Sequence, residues 1–258
     1  MPNLTIYPIH IRDGKADPSL PGLVLISPPK KCARGREADH LLAQVHLTGQ
    51  TSITAQGLQD WLTKKAEQYH KIPGTVTNAM RAVAESINDE LLDRNLKMAS
   101  SGSQVNGSLI LAVIKKQVVY ALILGQARIF ILNDKEPIEY LDAENHPRGL
   151  GVSQSPSLRF AQAEIGENGS MLLAPIPVRT WNKDSLREAN RLSVEALSRR
   201  LFNLVPPTLL GALVKVSTGN GQVQFQPLRR PENGVPVTAE TNVETTQPEE
   251  LVPSLEDI

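Results

Sequence analysis

The chain has 258 residues, with 27 basic and 27 acidic side chains and a single cysteine, Cys32. Balanced charge argues against nucleic acid or an acidic membrane as a partner bound through bulk positive charge. One cysteine excludes an intrachain disulfide and a multi-cysteine zinc site. The N-terminus lacks the pattern of a signal peptide, and no apolar run approaches the roughly 20 residues that span a bilayer, so a soluble, cytoplasmic protein is expected.

The N-terminal part of the chain predicts three strands followed by two helices. In the third strand, Leu41, Ala43 and Val45 alternate with other residues, which predicts a strand with one buried face. Two apolar stripes at helical spacing follow, and Pro73-Gly74 separates them. The predicted bounds are 4–11, 22–26 and 39–47 for the strands, about 58–69 for the first helix and 75–97 for the second.

Residues 107–132 predict a buried meander of three strands. Two unbroken apolar runs, 109–114 and 118–124, flank a short polar break. Short runs rich in Val and Ile are typical of strands buried on both faces, and a break of this length favours an antiparallel hairpin. Gly125-Gln126 then turns the chain into a third strand, 128–132.

Beyond the meander the sequence predicts more strands, one helix and a tail. The helix is predicted over 185–204, with Asp184 as its N-cap. From residue 218 the composition shifts to Gly, Pro, Thr and Glu, which predicts a disordered acidic tail over 218–258 behind a folded domain of residues 1–217. The predicted strands are 138–141, 158–165, 170–174 and 209–216.

The order Gly107-Ser108, strand, short turn, strand, Gly125, Arg128, strand resembles the core of the metal-dependent protein phosphatases (the PPM family, type 2C). The family core has Gly-Thr-Thr, a hairpin and then Gly-Asp-Ser-Arg. The resemblance spans about residues 22–216 and rests on pattern and spacing more than on identity. It implies an α+β fold, a four-layer α-β-β-α sandwich of two antiparallel sheets flanked by helices.

The resemblance also implies two Mg²⁺ or Mn²⁺ ions between the sheets, held by carboxylates and activating a water that attacks phosphorus. This chain departs from the family where those carboxylates are expected. Leu47 aligns with the metal-bridging aspartate, Gln126 with the aspartate of the meander, and Ile176 with the aspartate after a later strand. Leu47 and Ile176 would then make the former metal site a dry extension of the core between the sheets.

The segment from Arg34 to Asp39 resembles the family motif Arg-x-x-Asn-Glu-Asp. The resemblance gives Arg34 the role of binding a substrate phosphate, for which the guanidinium fork is suited, and Asp39 a position at the metal site. The same segment also fits a solvated basic loop, because Lys30, Lys31 and Arg36 accompany Arg34. Both interpretations remain open from the sequence.

Two other groups of residues invite a metal-site interpretation. His40 and His46 share a strand face but are six residues apart, about 20 Å at strand rise, so one ion cannot bind both. Asp142, Glu144 and His146 share one loop, which is suited either to binding a cation or to being a solvated polar loop.

The missing carboxylates favour a catalytically inactive phosphatase-like domain, a pseudophosphatase, that requires no cofactor. It is expected to act in signalling as a binding, regulatory or scaffolding module, with a protein partner that is phosphorylated if Arg34 still binds phosphate. The alternative is a divergent serine/threonine protein phosphatase with a rearranged Mg or Mn site. A third hypothesis is a structural domain whose acidic tail recruits partners.

Overall fold

A computed structural model of the chain describes residues 1–17, 19–49, 53–142, 148–203 and 206–228. The predicted tail from residue 231 onward lies outside the described residues. The strands are β1 Asn3–Arg12, β2 Lys15–Ala16, β3 Leu23–Ile26, β4 Asp39–Gly49, β5 Val105–Lys115, β6 Val118–Leu124, β7 Arg128–Leu132, β8 Ile138–Leu141, β9 Arg159–Glu164, β10 Ser170–Ala174, β11 Leu209–Ser217 and β12 Val223–Phe225. The helices are α1 Ala55–Ala66, α2 Val76–Lys97 and α3 Val194–Leu201.

Within the described ranges the strands form two sheets that pack face to face. The seven-stranded sheet has the order β12-β1-β11-β10-β7-β8, with β2 paired to β1, and the five-stranded sheet has the order β3-β4-β5-β6-β9. Neighbouring strands are antiparallel except β12, which runs parallel to β1. With helices on both outer faces, this is the predicted four-layer α+β sandwich. No helix in these ranges has both the length and the apolar character needed to cross a membrane.

Three apolar layers hold the sandwich together, and the meander contributes to two of them. Ile110 on β5 lies in the layer between the sheets, and its neighbour Leu111 lies in the layer beneath α1 and α2. A third layer, with Phe130 and Trp181, packs beneath α3. Because successive strand residues point to opposite faces, runs with no polar alternation fill two layers at once. The prediction that the meander is buried on both faces is confirmed.

The prediction of one buried face for β4 is wrong. Leu41 and Ala43 pack in the helix-side layer and Leu42 in the inter-sheet layer. His40 and Gln44, on the same face as Leu42, are also buried, with 1% and 2% of their surface exposed. The reason is the place of β4 in the sheet, between β3 and β5, with a helix layer on one side and the other sheet on the second.

The predicted helix over 185–204 is shorter in the structure. α3 spans Val194–Leu201, and its N-cap is Ser193, whose hydroxyl accepts from the Ala196 N–H, rather than Asp184. Upstream, Glu188 has a φ of 58°, in the left-handed region, so a right-handed helix cannot pass through this residue. The apolar positions Leu186 and Ala189 are buried as the helical pattern suggests, although Leu186 lies in a turn and Ala189 begins a short 3-10 helix, Ala189–Arg191.

The predicted domain boundary at residue 217 comes too early. Val223–Phe225 forms strand β12 beside β1, so residues assigned to the tail complete the edge of a sheet. The side chain of Leu228 is 7% exposed and packs in the layer beneath α3. The sequence does not predict β12, because a strand of three residues is too short to show a periodic pattern and it follows a short polar stretch.

A buried ion pair fastens the loop before β4 to the helix layer. Arg36 and Asp39 are 1% and 0% exposed, and Arg36 Nη1 lies 3.3 Å from Asp39 Oδ2. The Tyr69 hydroxyl donates to the same carboxylate at 2.7 Å, and burial raises the pKa of Tyr69, which keeps this proton in place. Arg36 Nη2 donates to the carbonyls of Gly74 and Thr75 at 3.1 and 2.6 Å, at the start of α2.

We expect Arg36→Leu to lower the free energy of unfolding by about 3–5 kcal/mol, because removing one partner of a buried pair leaves the other charge poorly compensated. Urea unfolding measures this change. The matched control is Arg34→Leu, on an exposed arginine of the same loop, which should change stability by no more than about 0.5 kcal/mol. Equal effects of the two substitutions would contradict the structural role of Arg36.

Two buried histidines lie close to this ion pair. His70 is 0% exposed, its Nε2 lies 2.9 Å from the backbone carbonyl oxygen of Asp39, and its Nδ1 has no hydrogen-bond partner among the described residues. His40 Nε2 is likewise without one. Burial lowers the pKa of both imidazoles below their ordinary value of 6.5, so the folded protein holds them neutral.

We therefore expect the free energy of unfolding to decrease as the pH is lowered. Below the ordinary pKa of 6.5 the histidines of the unfolded chain become protonated, whereas those of the folded chain remain neutral because their pKa is lower. The contribution of the neutral histidines to stability is therefore complete above pH 6.5 and is lost as the pH falls below it. Urea midpoints measured at several pH values from about 7.5 to 5 should decrease, and less steeply in His70→Gln. A flat profile for the wild-type chain would contradict the lowered pKa values, because it would mean that the folded and unfolded chains take up the same number of protons over this range.

Candidate functional site

A cavity of about 290 Å³ opens where the ends of strands from both sheets meet. The last residues of β4 and the first of β5 form one wall, and the segment after β10 forms another. The hydroxyl of Ser108 donates to the carbonyl of Pro175 and so joins the two sheets at the cavity. The described residues that line it are His46, Thr48, Asn106, Gly107, Ser108, Gly125, Gln126, Gly149, Pro175, Ile176 and Pro177.

Two glycines allow the strands to close around this cavity. A Cβ on Gly107 would lie 2.5 Å from the carbonyl oxygen of His46 on the neighbouring strand. Gly125 has a φ of 78°, and a Cβ there would lie 3.0 Å from the carbonyl oxygen of Gly107. Side chains do not fit at either position, so the turn after β6 packs directly against β5.

The structure brings together two of the residues that the sequence singled out. Gln126, which follows β6, and Ile176, which follows β10, both line the cavity although 50 positions separate them in the chain. Gln126 is exposed and Ile176 is half-buried. These two positions, where the resemblance expected aspartates, therefore belong to one site.

Leu47, which the sequence alignment placed at the metal site, does not line this cavity. Leu47 packs against the helix-side layer and lines a different cavity with Trp61 and Leu91. Its neighbour His46 points the other way, into the cavity between the sheets. Because alternate strand residues face opposite sides, His46 lines the cavity with Gln126 and Ile176, whereas Leu47 faces the helix layer. The expected dry, apolar extension of the core at Leu47 is therefore wrong.

The sequence contained a signal for His46. The face formed by His40, Leu42, Gln44 and His46 is the one that continues into the inter-sheet layer through Leu42. The alternation in β4 predicts a buried face, but it does not show whether that face meets the helices or the other sheet. Only the packing shows that this apolar face lies under α1 and α2.

Arg34 and Asp39 are not at the cavity either. Asp39 begins β4, seven residues before His46, which is about 23 Å at strand rise. Its carboxylate is engaged by Arg36 and by Lys115, whose Nζ lies 3.1 Å from Oδ1. Arg34 is exposed in the preceding loop. The structure therefore separates the predicted phosphate-binding residue from Gln126 and Ile176, and it gives Asp39 a role in a buried ion pair.

The loop around residue 142 is described only in part. Asp142 is buried, and its Oδ1 lies 3.1 Å from Arg159 Nε, so its carboxylate takes part in an ion pair. Glu144 and His146 lie outside the described residues. In the remainder of the chain that the structure describes, no three His, Cys, Asp or Glu side chains come together in a way that could hold a metal ion.

The described wall of the cavity is polar but uncharged. Its hydrogen-bonding side chains are the imidazole of His46, the hydroxyls of Thr48 and Ser108, and the amides of Asn106 and Gln126. Burial lowers the pKa of His46, so its imidazole is neutral at physiological pH, with one nitrogen that donates and one that accepts. Such a wall can bind through directional hydrogen bonds and not through net charge.

No family model matches the sequence, and no curated protein does. Solved structures do match. The chain is similar to PppA, a regulatory component of the type VI secretion system (T6SS) in Pseudomonas aeruginosa, with 16% identity, a TM-score of 0.56 and coverage of 83% of this chain and 96% of PppA. It is similar to the catalytic domain of the serine/threonine protein phosphatase PstP, solved with two manganese ions, with 13% identity, a TM-score of 0.57 and coverage of 83% and 99%.

A third similar structure is the serine/threonine phosphatase Stp1 from Staphylococcus aureus, with 10% identity, a TM-score of 0.57 and coverage of 85% of this chain and 96% of Stp1. The similarity extends over nearly the whole of each of these three solved chains. At these identities it shows the fold alone. The chain has the fold of the PPM-type serine/threonine phosphatases, as the order of its motifs suggested.

We expect the placement of His46 and Leu47 to be visible in engineered metal binding. In His46→Asp/Gln126→Asp, two carboxylates line one cavity, the arrangement that Mn²⁺ prefers, whereas in Leu47→Asp/Gln126→Asp they lie on opposite faces of the sheet. Excess Mn²⁺ should raise the thermal midpoint of the first variant by ligand linkage and leave that of the second unchanged. Stabilisation of the Leu47 variant alone would restore the original alignment.

Proposed function

We propose that this chain is a catalytically inactive domain of the PPM-phosphatase fold that acts by binding a protein partner. The observation that carries the proposal is the chemistry of the cavity wall: Gln126 and Ile176, at which the resemblance expects aspartates, line it together with His46, and no described residue of the wall carries a carboxylate. The fold is shared with active enzymes, but a fold does not by itself carry a reaction. What a domain can do depends on the side chains at its site.

The residues of the described wall do not fit a centre of two Mg²⁺ or Mn²⁺ ions. These hard cations take several oxygen ligands, among them charged carboxylates, whereas the amides and hydroxyls present here are neutral. One imidazole adds a single softer donor. Without bound metal there is no group in this wall to lower the pKa of a water molecule and make it a nucleophile at neutral pH.

A binding role agrees with the contacts of the segment from Arg34 to Asp39, which resembles the first family motif. Arg36 and Asp39 form a buried pair that fastens loop to helix, while Arg34 remains exposed at the opposite end of β4 from the cavity. A phosphorylated partner held by Arg34 would therefore lie far from Gln126 and Ile176. One similar structure, PppA, is described as a regulatory component of a larger system, which gives a regulatory role on this fold a precedent.

The second candidate is a divergent serine/threonine phosphatase with a relocated metal site. One observation favours it: Gly149 lines the cavity, and residues 143–147, which are outside the described ranges, include Glu144 and His146. A site assembled from that segment and His46 is the specific arrangement that the alternative requires.

We expect the purified chain to bind no stoichiometric Mn²⁺ in isothermal titration calorimetry and to hydrolyse a small aryl phosphate no faster than buffer with Mn²⁺. The PstP catalytic domain, assayed in parallel, is the positive control. Two bound ions with turnover would overturn the proposal. If turnover is found, the double variant Glu144→Gln/His146→Gln tests the second candidate, which requires that activity to disappear.

A further inference from the structure

An apolar groove runs along the side of the sandwich where the edge strands β3 and β12 of the two sheets lie. Its volume is about 1070 Å³, and its lining includes the whole of β3, Leu23–Ile26, and the last four described residues, Phe225–Leu228. Part of this apolar surface is open, since the side chain of Phe225 is 54% exposed and those of Leu20 and Leu25 are half-buried. Exposed apolar surface of this kind marks a contact site.

The backbone of β3 has a free edge in this groove. The N–H of Val45 on β4 donates to the carbonyl of Gly22 at 2.8 Å. Because bonded pairs alternate along an antiparallel ladder, the N–H and C=O groups of Leu23 and Leu25 point away from β4. The side chain of Gln59 on α1 confirms this direction, since its Nε2 donates to the Leu23 carbonyl at 2.7 Å. No described residue pairs with the backbone of Leu25.

The free edge of β3 lacks the protection that edge strands usually have. β9, at the opposite edge of the same sheet, carries Arg159 and Glu164, and charged side chains discourage pairing with another strand. β3 has the sequence Leu-Val-Leu-Ile and carries no charge. Gln59 covers only its beginning, because its two bonds go to the N–H of Gly22 and the carbonyl of Leu23. The remainder of the edge stays open to pairing.

The C-terminal segment of the chain starts in the same groove. Leu228 lines the groove, is 7% exposed, and is followed by residues 229–258. Residues 229–234 separate it from Val235. An extended chain of that length reaches about 20 Å, which exceeds the spacing of about 10 Å between packed sheets. A segment on so short a linker has an effective concentration on the order of millimolar, so even a weak attraction holds it.

Residues 235–239, Val-Pro-Val-Thr-Ala, fit this edge in one register. If Val235 or Val237 pairs with Leu25, it offers an N–H and a C=O to β3, and both valine side chains share the face of the Leu25 side chain, towards the inter-sheet layer. Pro236, which has no N–H, then faces away, as proline does in edge strands. A shift by one residue would turn Pro236 towards β3 and both valines out of the groove.

The other apolar part of the tail, residues 251–255, fits this edge less well. Its sequence is Leu-Val-Pro-Ser-Leu. The register that turns Pro253 away from β3 places Ser254 in the groove. The register that places Leu251 and Leu255 there turns Pro253 towards β3, where the missing N–H interrupts the ladder. Both requirements, an apolar face and available N–H groups, are met together only by residues 235–239.

We propose that residues 235–239 add a strand beside β3 and cover the apolar groove, so that the chain closes its own open edge. The groove shares no lining residue with the cavity at Gln126, so the docked strand is independent of the proposed function. β12 already shows that the beginning of the predicted tail belongs to the sandwich. The added strand removes a site at which another chain would otherwise pair.

Hydrogen exchange of the Leu25 amide, measured by nuclear magnetic resonance on the full chain, tests this pairing. We expect the amide to exchange about tenfold faster in Val235→Asp/Val237→Asp than in the wild-type chain, because the charges expel the strand from the groove. The matched control is Pro236→Asp/Thr238→Asp, which adds the same two charges on the face that points to solvent. It should leave the exchange of the Leu25 amide unchanged.

The amide of Leu111, in the buried strand β5, is the internal reference, and its protection in every variant shows that the sandwich is folded. Equal exchange of the Leu25 amide in the wild-type chain and in Val235→Asp/Val237→Asp would overturn the proposal. An equal acceleration in both double variants would also overturn it, since the face of the strand would then not matter. Protection of Leu25 that disappears on dilution would show that a second copy of the chain, rather than its own segment, occupies the edge.

Discussion

The pairing register between β4 and β5 is the constraint on which the site depends. It extends from Asp39 opposite Lys115 to Gly49 opposite Val105. Since β4 is covered on both faces, a slip by one residue would exchange the side chains under the helices for those between the sheets. Leu41, Ala43 and Val45 match the helix layer, and Leu42 matches the other sheet. The same register places His46 in the cavity.

The two ends of β4 have opposite electrostatic character. At its start, Asp39 is enclosed by Arg36, Tyr69 and Lys115, and their charges serve to fasten a loop to the helix layer. At its end, the described cavity wall offers only neutral donors and acceptors. In a phosphatase of this fold the resemblance would bring an arginine and several carboxylates to one place. Here Arg36 and Asp39 of the first motif stabilise the fold, and the described wall of the cavity carries no charged side chain.

The fold does not depend on charged residues at the cavity, because its stability comes from the three apolar layers. The inter-sheet layer is continuous from β5 through β10 and β11, and the cavity lies at its margin. Buried polar groups such as Gln44 reduce that stability slightly.

The sequence by itself determined the buried meander, both long helices and the layered α+β fold, because uninterrupted apolar runs and helical spacing are local properties of the chain. It also predicted that Gln126 and Ile176 stand where the resemblance expects carboxylates, and this remains a prediction. Only the tertiary structure decided that His46 and not Leu47 reaches the cavity, that Arg36 and not Arg34 partners Asp39, and that Val223–Phe225 joins a sheet. These outcomes depend on which layer covers each face of a strand, and that is set by contacts between residues far apart in the chain.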